Sequence, residues 1–205
     1  MTIFGVDSGQ MALAFGVAAG ITALELITSK YPQTFEFVLK SRWFYSYIVI
    51  YGFLGAAALA LLPFVADQVK TEGGIFSNPW VKAGLAGLSI KAFLHIRVLT
   101  VTTGPGKSFP IGLETFVEIF EPWMTRRIEL NHFAEVDKFI APRALKTPEV
   151  ETARQYAINK IPSTFDEKER TALTDDFNRA ATSYKVISEF LKVFGSRLTE
   201  TTFPK

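Results

Sequence analysis

There is no cysteine in this 205-residue chain, and there are only two histidines. Without thiols it can hold neither a disulfide framework nor a thiolate metal site, and two imidazoles are too few for a multi-histidine zinc centre. Such a composition suits a reducing, cytoplasm-facing environment. Excess charge of one sign is missing as well. The formal net charge is +2, and a cut near Thr102 leaves seven Lys and Arg against five Asp and Glu before it and fifteen against fifteen after it. Neither half has the basic surplus of a nucleic-acid binder, so nucleic acid is not an expected partner. The chain also lacks a convincing strand series, an internal repeat and any low-complexity segment. In the first ten residues the only charged side chain is Asp7. A secretory leader needs a basic stretch there, so the first apolar run is expected to stay as a membrane segment.

What the chain has is apolar surface: 48% of it is hydrophobic and 14% aromatic, with 19 Phe, beside 20% charged residues. Trp43 through Ala66 runs for about 24 residues with no charged side chain, enough to cross a ~30 Å hydrocarbon core as a helix. The pattern predicts an all-α integral membrane protein. About three transmembrane helices, near 11–28, 43–66 and 79–101, are expected in a membrane domain over 1–102, followed by a cytoplasmic helical hairpin or bundle over 103–205.

Direction follows from the loops. Ser29 to Arg42 holds Lys30, Lys40 and Arg42 against Glu36 and leads into Trp43, Phe44, Tyr45 and Tyr47, while the Asp67–Asn78 loop carries one Lys. The positive-inside rule and the aromatic belt put the first loop in the cytoplasm. The expected topology is an inner-membrane protein with its amino terminus outside and its carboxyl-terminal domain in the cytoplasm.

The third segment is unusual because it contains Lys82, Lys91, His95 and Arg97. Ionisable groups in a span cost about 2.5–3.5 kcal/mol each, so a surface helix is the alternative to a crossing. Spanning is preferred because Gly84, Gly87, Lys91 and His95 share one helical stripe. Glu25 and Arg97 would each lie about 6 Å from the cytoplasmic end of their helices and could pair. These residues, Glu25, Lys91, His95 and Arg97, form either a polar path or a set of packing contacts. Gly16, Gly20, Gly52, Gly84 and Gly87 are expected at helix contacts, where small side chains let backbones approach in lipid.

Beyond Thr102, Gly104-Pro105-Gly106-Lys107-Ser108 resembles a phosphate-binding loop only superficially: Val101 stands where the first glycine is needed, and Pro105 removes an amide donor. An amphipathic helix near 112–130 is expected at the membrane surface, kinked or divided at Pro122, with Trp123, Arg126 and Arg127 meeting headgroups. Glu114, Glu118 and Glu121 form an acidic face on it. Glu129 and His132 have the Glu-x-x-His spacing of di-iron bundles, but such sites need two copies. No catalytic residue, cofactor or metal site is therefore predicted. Thr147-Pro148-Glu149 announces one more helix, ended by Pro162, and Thr164 with Glu167 offers a capping box for a last one reaching about Leu198. Along that last helix Leu173, Phe177, Ala180, Tyr184, Ile187, Leu191, Phe194 and Leu198 make a seam within a hairpin or between subunits.

These features suggest a non-enzymatic, self-associating membrane protein with a cytoplasmic sensing or organising domain, which could form a pore. Its partners would be the bilayer and either copies of itself or other membrane-complex subunits. The alternatives are an accessory anchor subunit of a larger complex and a membrane-surface enzyme acting on lipid headgroups through Glu129, His132, Arg126 and Arg127.

Overall fold

Apolar residues that favour helix over turns dominate from Ser8 onward. The computed structural model describes residues 2–3, 6–69, 78–88, 99–102, 108–111 and 113–205, and these are all-helical apart from two short β-hairpins. The first hairpin pairs β1 (Thr2–Ile3) with β2 (Val6–Asp7), and the second pairs β3 (Leu99–Thr102) with β4 (Ser108–Ile111), both antiparallel. The chain falls into two compact units: Met1–Lys30 with Ser41–Ile128, and Tyr31–Lys40 with Glu129–Lys205. The second unit thus takes in the Tyr31–Lys40 connector as well as the carboxyl-terminal helices.

In the first unit, α1 (Ser8–Glu25) begins where the Asp7 carboxylate accepts from the Gly9 amide at 3.2 Å, a side-chain cap on a donor the helix cannot satisfy itself. It continues as a π-helical turn, Leu26–Lys30. There the Thr28 hydroxyl donates to the Leu24 carbonyl at 2.8 Å and the Ser29 hydroxyl to the Glu25 carbonyl at 2.5 Å. Helix α3 (Arg42–Val69) and helix α4 (Pro79–Leu88) both pack on α1 and on each other. Ser8–Lys30, 23 residues, and Arg42–Ala60, 19 residues, are long and apolar enough to cross a membrane. Both keep apolar faces uncovered: Leu24 is 63% exposed and Phe53 64%. A soluble core helix would bury such residues.

A continuous third helix over 79–101 is not what the structure has. Its described helical part stops at Leu88, residues 89–98 lie outside the described residues, and Leu99–Thr102 is strand, consistent with its β-branched Thr-Val-Thr run. Lys91, His95 and Arg97 therefore lie outside the described residues, and with them the expected Glu25–Arg97 pair. The all-helical class expected from the sequence holds, the two short hairpins being the exceptions among the described residues.

Helix α5 (Leu113–Lys146) runs 34 residues through both Pro122 and Pro142. The division expected at Pro122 does not occur. A proline removes one amide donor, and here burial of Met124 and Ile128 on the following turns holds the helix together.

The second unit has its own core. The one-turn helix α2 (Phe35–Val38) sends Phe37 against Ile140 of α5, Ala153 and Ala157 of α6 (Val150–Asn159), Phe177 of α7 (Glu167–Arg179), and Ile187, Phe190 and Leu191 of α8 (Ser183–Thr202). Arg143 also lies in this unit, with no exposed surface: it donates to the Phe139 carbonyl at 2.6 Å and the Glu200 carboxylate at 3.0 Å, and its guanidinium sits 3.7 Å from the Phe139 ring centroid. Burial lowers its pKa and Glu200 raises it.

The single long helix expected over 164–198 is two helices with a further break. Its capping box is Asp166 with Glu169, not Thr164 with Glu167: Glu169 N donates to Asp166 at 2.7 Å and Asp166 N to Glu169 at 3.2 Å. Likewise Glu149, not Thr147, stands at the N-cap position of α6, where its carboxylate accepts from the Thr152 hydroxyl at 3.0 Å and from no backbone amide. Ala180 is extended, its carbonyl held by Arg154 at 2.9 Å, and Thr182 recaps the chain by accepting from Lys185 N at 3.2 Å. Inside α8, Gly195 has φ 76°, a conformation that costs little only without a Cβ. The seam residues nevertheless converge on one core. Leu173, Phe177, Ile187, Leu191 and Phe194 pack together, whereas Tyr184 is 36% exposed and donates to Asp137 at 2.9 Å.

Candidate functional site

On α3, residues four apart share a face, so Trp43, Tyr47 and Tyr51 line up on one stripe. Tyr47 and Tyr51 are 3% and 2% exposed, and their rings lie 4.7 Å apart. The Tyr47 hydroxyl donates to the Glu121 carboxylate of α5 at 2.8 Å. One turn toward the start of α3, Trp43 meets Trp123 edge to face at 5.2 Å. The Arg127 guanidinium stands 5.9 Å from the Trp43 ring and 5.8 Å from the Trp123 ring, and Arg42 lies 5.5 Å from Trp43. Such cation–π contacts hold each cation by the ring quadrupole without consuming its hydrogen-bond donors, so Arg127 is positioned with its charge still available. Arg126 is exposed beside it.

Behind this cluster is a cavity of about 40 Å³ lined by Thr22, Glu25, Ser29, Lys30, Tyr47 and Glu121. The π-helical turn after Glu25 supplies part of its wall, a deviation from α geometry that recurs at functional sites. Thr22 is 2% exposed, and its hydroxyl has no hydrogen-bond partner among the described residues. A larger hollow, about 510 Å³, opens to solvent along α7 among Phe165, Glu167, Arg170, Thr171 and Thr174, of which Glu167, Arg170 and Thr171 are exposed.

In the second unit, His132 is buried. Its Nε2 lies 3.0 Å from the Thr34 hydroxyl, its ring is 4.5 Å from that of Tyr31, and its Nδ1 has no partner among the described residues. Burial lowers the His132 pKa against an opposing pull from Glu129, and burial together with Glu129 raises that of Tyr31. Glu129 is exposed while His132 faces inward, so the two do not form the open acid–base pair that headgroup chemistry would need. Among the described residues no cluster of three His, Cys, Asp or Glu side chains could hold a metal ion.

The expected glycine contacts divide in two. A Cβ on Gly52 would lie 2.6 Å from the Phe15 ring, and one on Gly87 would lie 2.8 Å from both the Ala14 carbonyl and Val17. Gly55, not singled out by the sequence, is equally tight, 2.5 Å from the Ala18 Cβ. At Gly16, Gly20 and Gly84 no atom of the described residues lies within 4 Å of such a Cβ. Of the headgroup residues, Trp123 and Arg127 come together, joined by Trp43. Of the intramembrane polar set, Glu25 lines the cavity. Sequence reasoning missed Thr22 and the Tyr47–Glu121 bond; the Trp43/Tyr47/Tyr51 spacing was a visible signal for the shared face, but no sequence pattern names its partner helix. No family model, curated protein or solved structure matches this chain.

Proposed function

We propose that this chain is a non-enzymatic membrane protein that self-associates through α1 and carries a helical cytoplasmic unit for sensing or organising partners. The carrying observation is how its glycines are used. Gly52, Gly55 and Gly87 are consumed where α1, α3 and α4 meet, whereas Gly16 and Gly20 share an outward face of α1 with exposed Leu13 and Leu24. In lipid the hydrophobic effect gives no drive between helices, and small residues permit the close backbone approach that does. The same exposed apolar faces suit an inner-membrane setting, and the basic connector with Lys30, Lys40 and Arg42 favours its placement in the cytoplasm. Pore formation would be a property of the assembled oligomer and would involve Lys91 and His95.

Gly16→Leu with Gly20→Leu tests this reading, because both positions face open space and the substitutions leave the packing within the chain alone. Chemical cross-linking and mass determination in nanodiscs should show a homomer for the unaltered protein and its loss in the double variant. A monomeric unaltered protein overturns the proposal. A second reading, an anchor subunit, is favoured by Leu130, 53% exposed, and Phe133, 59% exposed, in the second unit. One copy recovered on a foreign subunit would select it.

A further inference from the structure

We propose that Arg42, Trp43, Trp123 and Arg127, where α3 begins beside α5 in the first unit, bind the headgroup phosphate of an anionic phospholipid. The inference rests on the membrane reading above but not on self-association. Its first basis is that the cations are unpaired. Arg42 stands 5.5 Å from the Trp43 ring, and Arg127 stands 5.9 Å from that ring and 5.8 Å from Trp123. Neither side chain, nor that of exposed Arg126, makes a hydrogen bond or ion pair among the described residues. A guanidinium resting on a ring keeps its fork of N–H donors, which matches two phosphate oxygens at once.

The second basis is the order of side chains along both helices. On α5, Ile119, Trp123 and Arg127 follow at four-residue spacing on one face, passing from an apolar residue 72% exposed to a ring 44% exposed and then to an exposed cation. On α3 the same order runs in the opposite chain direction: Arg42 and Trp43, then the exposed Tyr45, Val49 and Phe53, again four apart. A phospholipid is layered in this way, from phosphate through the interface that Trp favours to the acyl chain. Free phosphate would leave the apolar part of both faces bare, so the occupant is a lipid. Depth agrees. Trp80 packs at the start of α1, where a Cβ on Gly9 would lie 3.1 Å from its ring, while Tyr47, one turn from Trp43, lines a cavity with Glu25 and Ser29 at the other end. The 18 residues of α1 rise about 27 Å, close to the ~30 Å of a hydrocarbon core. The unpaired arginines select a headgroup of net negative charge, such as phosphatidylglycerol, over zwitterionic phosphatidylcholine.

The test is tryptophan quenching of the full chain in phosphatidylcholine vesicles containing a minor fraction of either phosphatidylglycerol or phosphatidylcholine brominated high on one acyl chain. Bromine quenches the rings it touches, so the two signals compare how often each lipid occupies the site. Brominated phosphatidylglycerol should be enriched about fivefold, the effect of one interfacial arginine on an anionic lipid. Arg127→Gln should reduce this to less than about twofold, and so should Arg127→Lys, which keeps the charge but loses the planar fork. Trp80→Phe and inorganic phosphate at constant ionic strength should leave it unchanged. Equal quenching by the two lipids in the unaltered protein overturns the proposal whether or not any variant folds. Full enrichment in folded Arg127→Lys overturns it too, since a diffuse positive field would then suffice. Loss of the enrichment in folded Trp80→Phe places the lipid at the wrong end of α1, and loss in inorganic phosphate replaces it with a free anion; either result overturns the site. No quenching by either lipid would show a chain outside the bilayer and overturn the membrane reading itself.

Discussion

His132 shows how a single residue can tie stability to pH. Its ring is buried on Tyr31 and Thr34, and burial holds its pKa below the ordinary 6.5. The unfolded chain therefore binds a proton at a pH where the folded chain does not. Below about pH 6.5 the unfolded state gains that proton first, and stability falls as pH falls toward the folded value, by at most about 1.4 kcal/mol per pH unit. Above pH 6.5 the contribution is flat. Replacing His132 with Gln, which can still bond to Thr34, should remove the slope, as read from denaturation midpoints of the full chain between pH 5 and 7.5; an unchanged slope would locate the titrating group elsewhere.

At the scale of the element, the membrane-length helices are joined by backbone proximity. Gly55 sits where an added methyl would meet Ala18 and the Ala14 carbonyl, so the helices must separate or distort to admit it. Gly55→Ala should therefore destabilise the protein by about 1–3 kcal/mol, the usual cost of overpacking. Gly84→Ala on α4 meets open space and should raise stability by up to about 1 kcal/mol through lower backbone entropy of the unfolded chain. Thermal midpoints in one detergent compare the two directly, and equal losses would mean that the tight contact at Gly55 is not what joins α1 to α3. The α7–α8 break belongs to the same scale. A 4-3 apolar pattern ran through it because both helices feed one core, and periodicity reports the buried face, not the continuity of the backbone.

For the whole molecule, the decisive fact is that Tyr31–Lys40 shares a compact unit with Glu129–Lys205. Thr34 bonds His132, and Glu36 accepts from Ser196 at 2.6 Å. If α1 and α3 both cross, the connector between them and the carboxyl-terminal helices must lie on one side of the bilayer. A reporter active only in the cytoplasm should give the same result, active or silent, when inserted after Gln33 and when fused after Lys205. Activity at one site and silence at the other, in well-expressed fusions, would break that link.

Composition and periodicity by themselves determined the helical class, the two apolar helices of membrane length and the proline-marked start of α4, because each depends on local propensity or on a run of residues. They determined neither the third crossing nor where α6 and α7 begin; at α7 Thr164 and Asp166 are both able to cap, and Asp166 does. Only the tertiary structure decided which glycines are consumed in packing and which face outward, since Gly16 and Gly55 look alike until a neighbouring helix is placed. It alone brought Thr22, Glu25, Tyr47 and Glu121 around one cavity. Those residues come from three helices, and a sequence records the period of a buried face but not the distance to the residue that will face it.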